Sequence, residues 1–260
     1  MKLKLFQVDA FTDRPFRGNP AAVVPLEQWL PEATLQAMAA ENNLSETAYF
    51  VKQGEAYHLR WFTPTREVDL CGHATLATAW VLWERLGEHA PLIRFETRSG
   101  ELRVTRDDGW LWLDFPADPA QPSVVPSALV SGLGRPPREV LLARNYVAIY
   151  DSEEIVRLLT PDFRRLATLG NHGVIATAPG KDCDFVSRFF GPQFGIDEDP
   201  VTGSAHCTLA PLWSVRLGRT ALRARQISHR GGELRCELNG TRVLIGGQCA
   251  AFLTGEIELR

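Results

Sequence analysis

Apolar and polar positions alternate over short stretches along most of the chain, which predicts a protein dominated by β-strands. In the first half, apolar runs occur at 3–8, 22–24, 48–51 and 58–62. Three further runs follow, at 92–98, 101–105 and 110–115. They are separated by the turn sequences Ser99-Gly100 and Asp108-Gly109, which are typical of β-hairpins. A sheet of short strands is therefore expected.

Helical periodicity appears in a few stretches only. Thr75, Leu76, Ala79, Leu82 and Trp83 fall at helical spacing without an intervening proline, and residues 204–217 behave similarly. Each stretch is apolar around most of its circumference, so each is predicted to be a central helix buried by strands that curl around it. A further helix is predicted over 31–42.

The chain contains an internal repeat. The string Arg60-Trp-Phe-Thr-Pro64 is answered by Arg188-Phe-Phe-Gly-Pro192, and three later strings recur in the same order, at separations of 128 to 133 positions. A Pro-rich segment at 116–126 lies between the copies and is typical of a connector. We predict an α+β protein of two similar lobes, 1–116 and 127–260, whose last strand could return to the first lobe.

Composition narrows the class of protein. The chain has 260 residues and a formal net charge of −3, without the basic runs that bind nucleic acid. Apolar runs stay well below the roughly 20 residues needed to span a bilayer. The five cysteines are scattered, which is typical of a reducing compartment. We expect a soluble, cytoplasmic protein that binds neither nucleic acid nor membrane.

Both central helices begin with a glycine followed by a polar residue, in Cys71-Gly72-His73 and in Thr202-Gly203-Ser204. A helix N-terminus offers unpaired N–H donors and about half a positive charge, so each opening could bind an anion. The simpler interpretation is that Gly72 and Gly203 only allow tight turns. If the lobes face each other, a small carboxylate could be held between them.

Three titratable residues near these openings have both a chemical and a structural interpretation. Asp199 precedes Pro200, which could aim its carboxylate or simply complete an Asx turn. His73 could relay a proton or be an ordinary packed histidine. Glu46 follows a predicted helix and precedes an apolar strand, so it is either an exposed loop residue or a partly desolvated base.

Two other kinds of chemistry are disfavoured. Ser204 lies outside a GxSxG string, and His206 on the same helix would point away from it, which argues against a hydrolase. The histidines lack a paired spacing such as HxxxH, so no metal is predicted.

The whole chain resembles the PhzF-like, or phenazine biosynthesis-like, family, which shares its fold with diaminopimelate epimerase. The resemblance is carried by six strings, namely Gln7-Val-Asp-Ala-Phe-Thr12, Gly18-Asn-Pro-Ala-Ala-Val23, Asn43-Leu-Ser-Glu-Thr47, Phe62-Thr-Pro64, Cys71-Gly-His-Ala-Thr75 and Asp199-Pro-Val-Thr-Gly-Ser204. It implies two pseudo-symmetric lobes, each a curved, mostly antiparallel sheet wrapped around a central helix, with the active site between them.

The resemblance also implies a function. Glu46 corresponds to the acid/base of a cofactor-free isomerase that moves a proton on a small carboxylate substrate. The family's other catalytic residues, which position the substrate and assist the transfer, correspond to His73, Asp199 and Ser204, and the expected substrate-binding residues are Asn19, Cys71, Gly72 and Gly203. Neither flavin, nicotinamide nor pyridoxal is implied, and a homodimer is possible.

Two alternatives stay open. Epimerases of this fold use a cysteine at each helix opening, but here only Cys71 is in place and the second position is interpreted as Asp199. An amino-acid epimerase or racemase using Cys71 with another acid is the first alternative. A non-catalytic module that binds a ligand or a protein on the same scaffold is the second.

Overall fold

The computed structural model describes residues 1–259 and divides the chain into two compact units. One unit comprises Met1–Asp114 with Gly246–Arg260, and the other comprises Phe115–Ile245. The lobe boundaries predicted from the sequence were 1–116 and 127–260, with the return of the last strand left open. In the structure, the C-terminal strand pairs with the first strand of the chain.

The first unit is an antiparallel and parallel mixed sheet with two helices. Its strands are β1 (Lys2–Ala10), β2 (Asn19–Leu26), β3 (Glu46–Gln53), β4 (Ala56–Phe62), β5 (Glu67–Val68), β6 (Leu92–Thr97), β7 (Gly100–Asp107), β8 (Trp110–Pro116) and the C-terminal β18 (Cys249–Glu258), and its helices are α1 (Glu32–Asn42) and α2 (Gly72–Arg85). β1 pairs antiparallel with β2 and with β18. β2 and β3 are parallel, as are β4 and β6, while the remaining neighbours are antiparallel.

Helix α2 is the predicted central helix of this unit. Eleven of its fourteen residues are buried, so it has almost no solvent face. Strands β1, β2, β3 and β18 pack against it. Its two buried threonines donate their hydroxyls to backbone carbonyl oxygens one turn back, Thr75 to Cys71 at 2.5 Å and Thr78 to Ala74 at 2.7 Å. These hydrogen bonds allow polar residues inside the core.

The second unit has the same mixture of elements. Its strands are β9 (Gln121–Pro122), β10 (Glu139–Leu142), β11 (Tyr146–Ile149), β12 (Val174–Pro179), β13 (Phe185–Gly191), β14 (Ile196–Asp199), β15 (Ala221–Gln226), β16 (Gly232–Asn239) and β17 (Arg242–Gly247), and its helices are α3 (Ser127–Leu133), α4 (Glu153–Arg157), α5 (Phe163–Leu166) and α6 (His206–Leu217). A 3-10 turn at Gly203–Ala205 precedes α6, so the regular helix begins two residues later than the predicted start at 204.

Strand pairing repeats between the units. The order antiparallel, parallel, antiparallel joins β1 to β4 and also β10 to β13. In both units the next two partners are a short antiparallel strand and a longer parallel one, β5 and β6 in the first unit and β14 and β15 in the second. The internal repeat predicted from the sequence is therefore a repeat of supersecondary structure.

A partly buried ion pair recurs with the strands. The Arg60 guanidinium donates two hydrogen bonds of 2.7 Å to the Glu67 carboxylate, and Arg188 donates bonds of 2.7 and 2.8 Å to Glu198. The Arg60 guanidinium also lies about 5 Å from the ring of Phe62, and the Arg188 guanidinium lies about 5 Å from the ring of Phe190. These pairs tie β4 to β5 and β13 to β14, the strands that lead into the two helix openings.

The backbone conformation tests the hairpin turn predicted at Asp108-Gly109. Asp108 and Gly109 both have positive φ, 44° and 74°, which is the geometry of a two-residue hairpin turn between β7 and β8. The Asp108-Gly109 prediction is confirmed. Within residues 1–259, none of the helices is both long and apolar enough to cross a membrane.

Candidate functional site

Glu46 is the first residue of β3 and its side chain is 13% exposed, so it is not the exposed loop residue that its sequence position allowed. The carboxylate lies beside the start of α2, where Glu46 Oε2 is 3.3 Å from His73 Nε2. The parallel pairing of β2 with β3 sets this position, because it aligns Glu46 with Ala21, two residues after Asn19.

His73 is the second residue of α2 and is buried. Burial lowers the pKa of its imidazole to about 3, against an ordinary value of 6.5, so the ring is neutral at physiological pH. The contact with Glu46 is consequently a polar contact with a neutral imidazole and not a salt bridge.

Two further side chains reach the other nitrogen of the ring. Asn19 Nδ2 lies 3.3 Å and Cys71 Sγ lies 3.5 Å from His73 Nδ1. An amide N–H₂ and a thiol can both donate to Nδ1 of a neutral imidazole, while Nε2 faces Glu46. Asn19, Glu46, Cys71 and His73 thus form one group at the opening of α2, which we call the Glu46 cluster.

Gly72 is the first residue of α2 and is buried beside this cluster. The residue before it, Cys71, has an extended backbone with φ −146°. The helix opening therefore presents backbone N–H groups and the positive end of a 14-residue helix to the Glu46 cluster. Such an opening stabilises a carboxylate or a developing negative charge.

The cluster contains three residue types that can bind a metal ion. One ligand atom each from Glu46, Cys71 and His73 can be chosen so that all three lie within 4.8 Å of one another. Zinc would accept all three donor types. However, the sulfur contacts Nδ1 and the carboxylate contacts Nε2, so the two neighbours use opposite nitrogens of the ring. This arrangement suits hydrogen bonding around the imidazole better than a shared ion.

In the second unit, Asp199 is the last residue of β14 and is 9% exposed. Its Oδ2 accepts a hydrogen bond of 2.5 Å from the Thr202 hydroxyl. Thr202 in turn donates its backbone N–H to Gln226 Oε1 at 2.8 Å. Neither Thr202 nor Gln226 was predicted as a site residue. Gln226 follows Asp199 by 27 positions, so only the sheet pairing reveals their contact.

Gly203 and Ser204 form the 3-10 turn that opens α6. His206, the next polar residue, contacts the Thr202 carbonyl oxygen through Nδ1 at 2.9 Å. Burial lowers the pKa of His206 to about 4. The lowered pKa makes the ring a weak base, and within residues 1–259 no hydrogen bond joins Ser204 to His206, so the geometry does not support a Ser204–His206 nucleophilic pair.

The sheet register corrects one correspondence between the two openings. Trp61 pairs with Val68 in the first unit, and Phe189 pairs with Asp199 in the second. Asp199 therefore corresponds to Val68 and not to Cys71, as the sequence had been interpreted. The position that corresponds to Cys71 is Thr202, which precedes Gly203 as Cys71 precedes Gly72.

The register also identifies the counterpart of Glu46. Arg60 pairs with Tyr49 on β3, and Arg188 pairs with Ala176 on β12. Glu46 lies three positions before Tyr49, and Gly173 lies three positions before Ala176. Gly173 is therefore the counterpart of Glu46. Of the eight predicted site residues, the first unit holds Asn19, Glu46, Cys71, Gly72 and His73, and the second unit holds Asp199, Gly203 and Ser204.

A model of the phenazine biosynthesis-like protein family matches residues 8–255. The chain belongs to this family. An uncharacterised isomerase of Pseudomonas aeruginosa is 53% identical to this PhzF-family chain over 259 residues, covering 100% of both. The crystal structure of a PhzF-family phenazine biosynthesis protein of Enterococcus faecalis superposes with a TM-score of 0.97 at 48% identity, covering 100% of both chains.

The fold class is confirmed by the same comparisons. A predicted epimerase of Pseudomonas aeruginosa, 20% identical, superposes with a TM-score of 0.74 over 99% of this chain and 100% of its own, and it shares the fold. Curated relatives that are 43–53% identical are named isomerases. This member of the PhzF family is accordingly an isomerase.

Proposed function

We propose that this PhzF-family isomerase moves a proton on a small carboxylate substrate by general acid/base catalysis at Glu46, without a cofactor. The observation that carries the proposal is the Glu46 cluster, where a mostly buried carboxylate lies 3.3 Å from a neutral imidazole at the positive end of a buried helix. A carboxylate held there can accept a proton from carbon and return it.

His73 is the competing candidate for the base, and the chemistry of the ring argues against it. Its pKa of about 3 makes it a weak base, and Nδ1 is already contacted by Asn19 and Cys71. We assign Glu46 the proton transfer and His73 the orientation of the carboxylate.

The substrate class follows from the helix opening. Amides at Gly72 and His73 can donate to a carboxylate and stabilise charge that develops as the proton leaves. We further propose that Asp199, Gly203 and Ser204 contribute to substrate binding. These roles are part of the hypothesis, as are a cytoplasmic location and a homodimer, and light scattering would measure the oligomeric state.

The experiment is solvent exchange on a panel of cyclic and unsaturated carboxylates in D₂O, followed by NMR. We expect at least one to gain deuterium with the wild-type protein and to exchange about 10²- to 10⁴-fold more slowly with Glu46→Gln, the contribution usual for a general base. Glu41→Gln, an exposed glutamate near the end of α1, is the matched control and should exchange at the wild-type rate. Undiminished exchange by Glu46→Gln would remove the assigned role.

The epimerase alternative is favoured by one observation, the 3.5 Å contact between Cys71 Sγ and His73 Nδ1. It is weakened by the second opening, where Thr202 occupies the corresponding position. The nearby Cys207 is also a poor base, because burial raises the pKa of its thiol to about 12. Exchange at an α-carbon that is lost in Cys71→Ser but kept in Glu46→Gln would decide for the epimerase.

A further inference from the structure

Gln226 is buried, 1% exposed, at the end of β15, and its side-chain amide forms hydrogen bonds with the Asp199–Thr202 segment. Its Nε2 donates to the Asp199 carbonyl oxygen at 2.7 Å and to Thr202 Oγ1 at 3.2 Å. Its Oε1 accepts the Thr202 backbone N–H at 2.8 Å. One amide thus spans the loop that leads from β14 to the opening of α6.

The hydrogen-bonding directions in this group are fixed. A flipped Gln226 amide would place its N–H₂ against the Thr202 N–H and its oxygen against the Asp199 carbonyl oxygen, and both contacts would be repulsive. Because Nε2 donates to Thr202 Oγ1, the hydroxyl proton is directed to Asp199 Oδ2, 2.5 Å away. The result is a chain of donors from Gln226 through Thr202 to Asp199, whose members polarise one another.

We infer that Gln226 is a positioning residue which, through the Thr202 hydroxyl, orients the Asp199 carboxylate and stabilises its ionised form. The inference rests on the proposed function for its catalytic consequence, because Asp199 is a proposed substrate contact there. A hydrogen bond donated to a carboxylate favours its charged form. The chain therefore supplies a charged, defined acceptor at the second helix opening.

Three titratable groups close to Asp199 along β14 and at the start of α6 are bound by other residues, exposed to solvent or neutral. Glu198, the residue before Asp199 on β14, is bound by Arg188 of β13, and Asp197 is exposed. His206 of α6 is neutral and contacts the backbone oxygen of Thr202, not its hydroxyl. Removing the hydroxyl therefore leaves these groups in place.

The test measures the titration of Asp199 in the full-length, substrate-free protein by carboxyl ¹³C NMR, with Asp199→Asn used to assign the signal. Thr202→Val removes the hydroxyl but keeps the backbone N–H that Gln226 accepts, whereas Thr202→Ser keeps both. We expect the titration midpoint to rise by about one pH unit in Thr202→Val and to stay near the wild-type value in Thr202→Ser.

Gln226→Met removes the donor without changing the side-chain volume greatly. We expect a smaller rise of the midpoint, and no additional rise when Gln226→Met is combined with Thr202→Val, because both changes act on one chain. Equal midpoints in wild type, Thr202→Val and Gln226→Met, each with an unchanged far-UV circular dichroism spectrum, would overturn the inference.

This outcome is separable from the fate of the proposed function. A raised midpoint in Thr202→Val supports the positioning role even if Asp199→Asn exchanges deuterium at the full rate, which would instead remove Asp199 from the proposed mechanism. An unchanged midpoint overturns the positioning role and leaves the Glu46→Gln experiment to test the isomerase mechanism on its own.

Discussion

The two units build the same approach to a central helix and equip it with different chemistry. In the first unit, β3 begins with Glu46, and the opening of α2 carries Cys71 and His73. In the second unit, the corresponding strand is preceded by Gly173, and the opening carries Thr202 and Ser204. The repeated scaffold therefore holds a candidate base in only one of its two copies.

Packing explains why the second unit has no side chain at this position. A Cβ added to Gly173 would lie 2.5 Å from the Phe189 ring and 2.9 Å from Asn145 Oδ1. The Gly173 N–H also donates to that same Asn145 oxygen at 2.9 Å. The space that accommodates Glu46 in the first unit is filled by neighbouring side chains in the second. The two units therefore share one pattern of strand pairing but differ in the side chains that could carry out chemistry.

The largest expected effect distinguishes the two carboxylates, Glu46 in the first unit and Asp199 in the second. Glu46→Gln should slow proton exchange by about 10²- to 10⁴-fold because it removes the base. Asp199→Asn should slow it by about 10²-fold at most, because a misplaced substrate contact costs less than the reacting group. The rate of deuterium incorporation into one substrate measures both, and a larger loss in Asp199→Asn would reverse the assignment.

The next effect concerns the buried histidine that each opening contains. His73 and His206 have pKa values lowered to about 3 and about 4, below the unfolded value of 6.5. Their stabilising contribution is present above pH 6.5 and is lost as the pH falls, because only the unfolded chain binds the proton. Between pH 7 and 5 we expect the free energy of unfolding to fall by about 2 kcal/mol per histidine.

Urea unfolding at the two pH values measures this loss. The variant His206→Asn, which can no longer take up that proton, should lose about half as much stability over the same interval. An unfolding free energy that is the same at pH 7 and pH 5 would contradict the burial of two neutral imidazoles.

A smaller effect is expected at the counterpart of Glu46. Gly173→Ala should destabilise the protein by about 1–3 kcal/mol through overpacking against Phe189 and Asn145. Gly255→Ala is the matched control, because a Cβ there would make an ordinary 3.6 Å contact with Leu253. Thermal unfolding compares the two variants, and a Gly173→Ala protein as stable as wild type would show that the second unit has room for a side chain.

The smallest effect concerns the repeated ion pair. Arg188 also donates from Nη1 to the backbone oxygens of Val156 and Leu159, at 3.1 and 2.8 Å. Arg60 instead has a second carboxylate partner, the exposed Glu32 at 3.0 Å. Arg188→Lys should therefore cost about 1 kcal/mol more than Arg60→Lys, and chemical denaturation measures the difference. Equal losses would make the two pairs equivalent.

Much of the fold could be predicted from the chain because its signals are local. The helical spacing from Thr75 to Trp83 and the turn at Asp108-Gly109 depend on nearby residues, and both agree with the structure. The return of β18 to β1 joins residues more than 230 positions apart, so no local pattern could establish it.

The candidate site also has some features that local sequence predicts and others that depend on strand pairing. The openings at Gly72 and Gly203 were visible as repeated strings. The contact of Glu46 with His73 depends on the parallel pairing of β2 with β3, and the contacts of Gln226 depend on the pairing of β13 with β15. The mismatch of Asp199 with Cys71 arose because Arg188 and its partner Glu198 are ten positions apart, whereas Arg60 and Glu67 are seven positions apart.

The central claim, that a single carboxylate carries the transferred proton, is tested most directly by the fate of a label. A substrate deuterated at the carbon that loses its proton would be converted in H₂O, and the first product analysed by mass spectrometry. Glu46 holds one proton and is only 13% exposed, so we predict that part of the deuterium reappears at the receiving carbon. Product that carries only solvent hydrogen at that carbon would contradict the account.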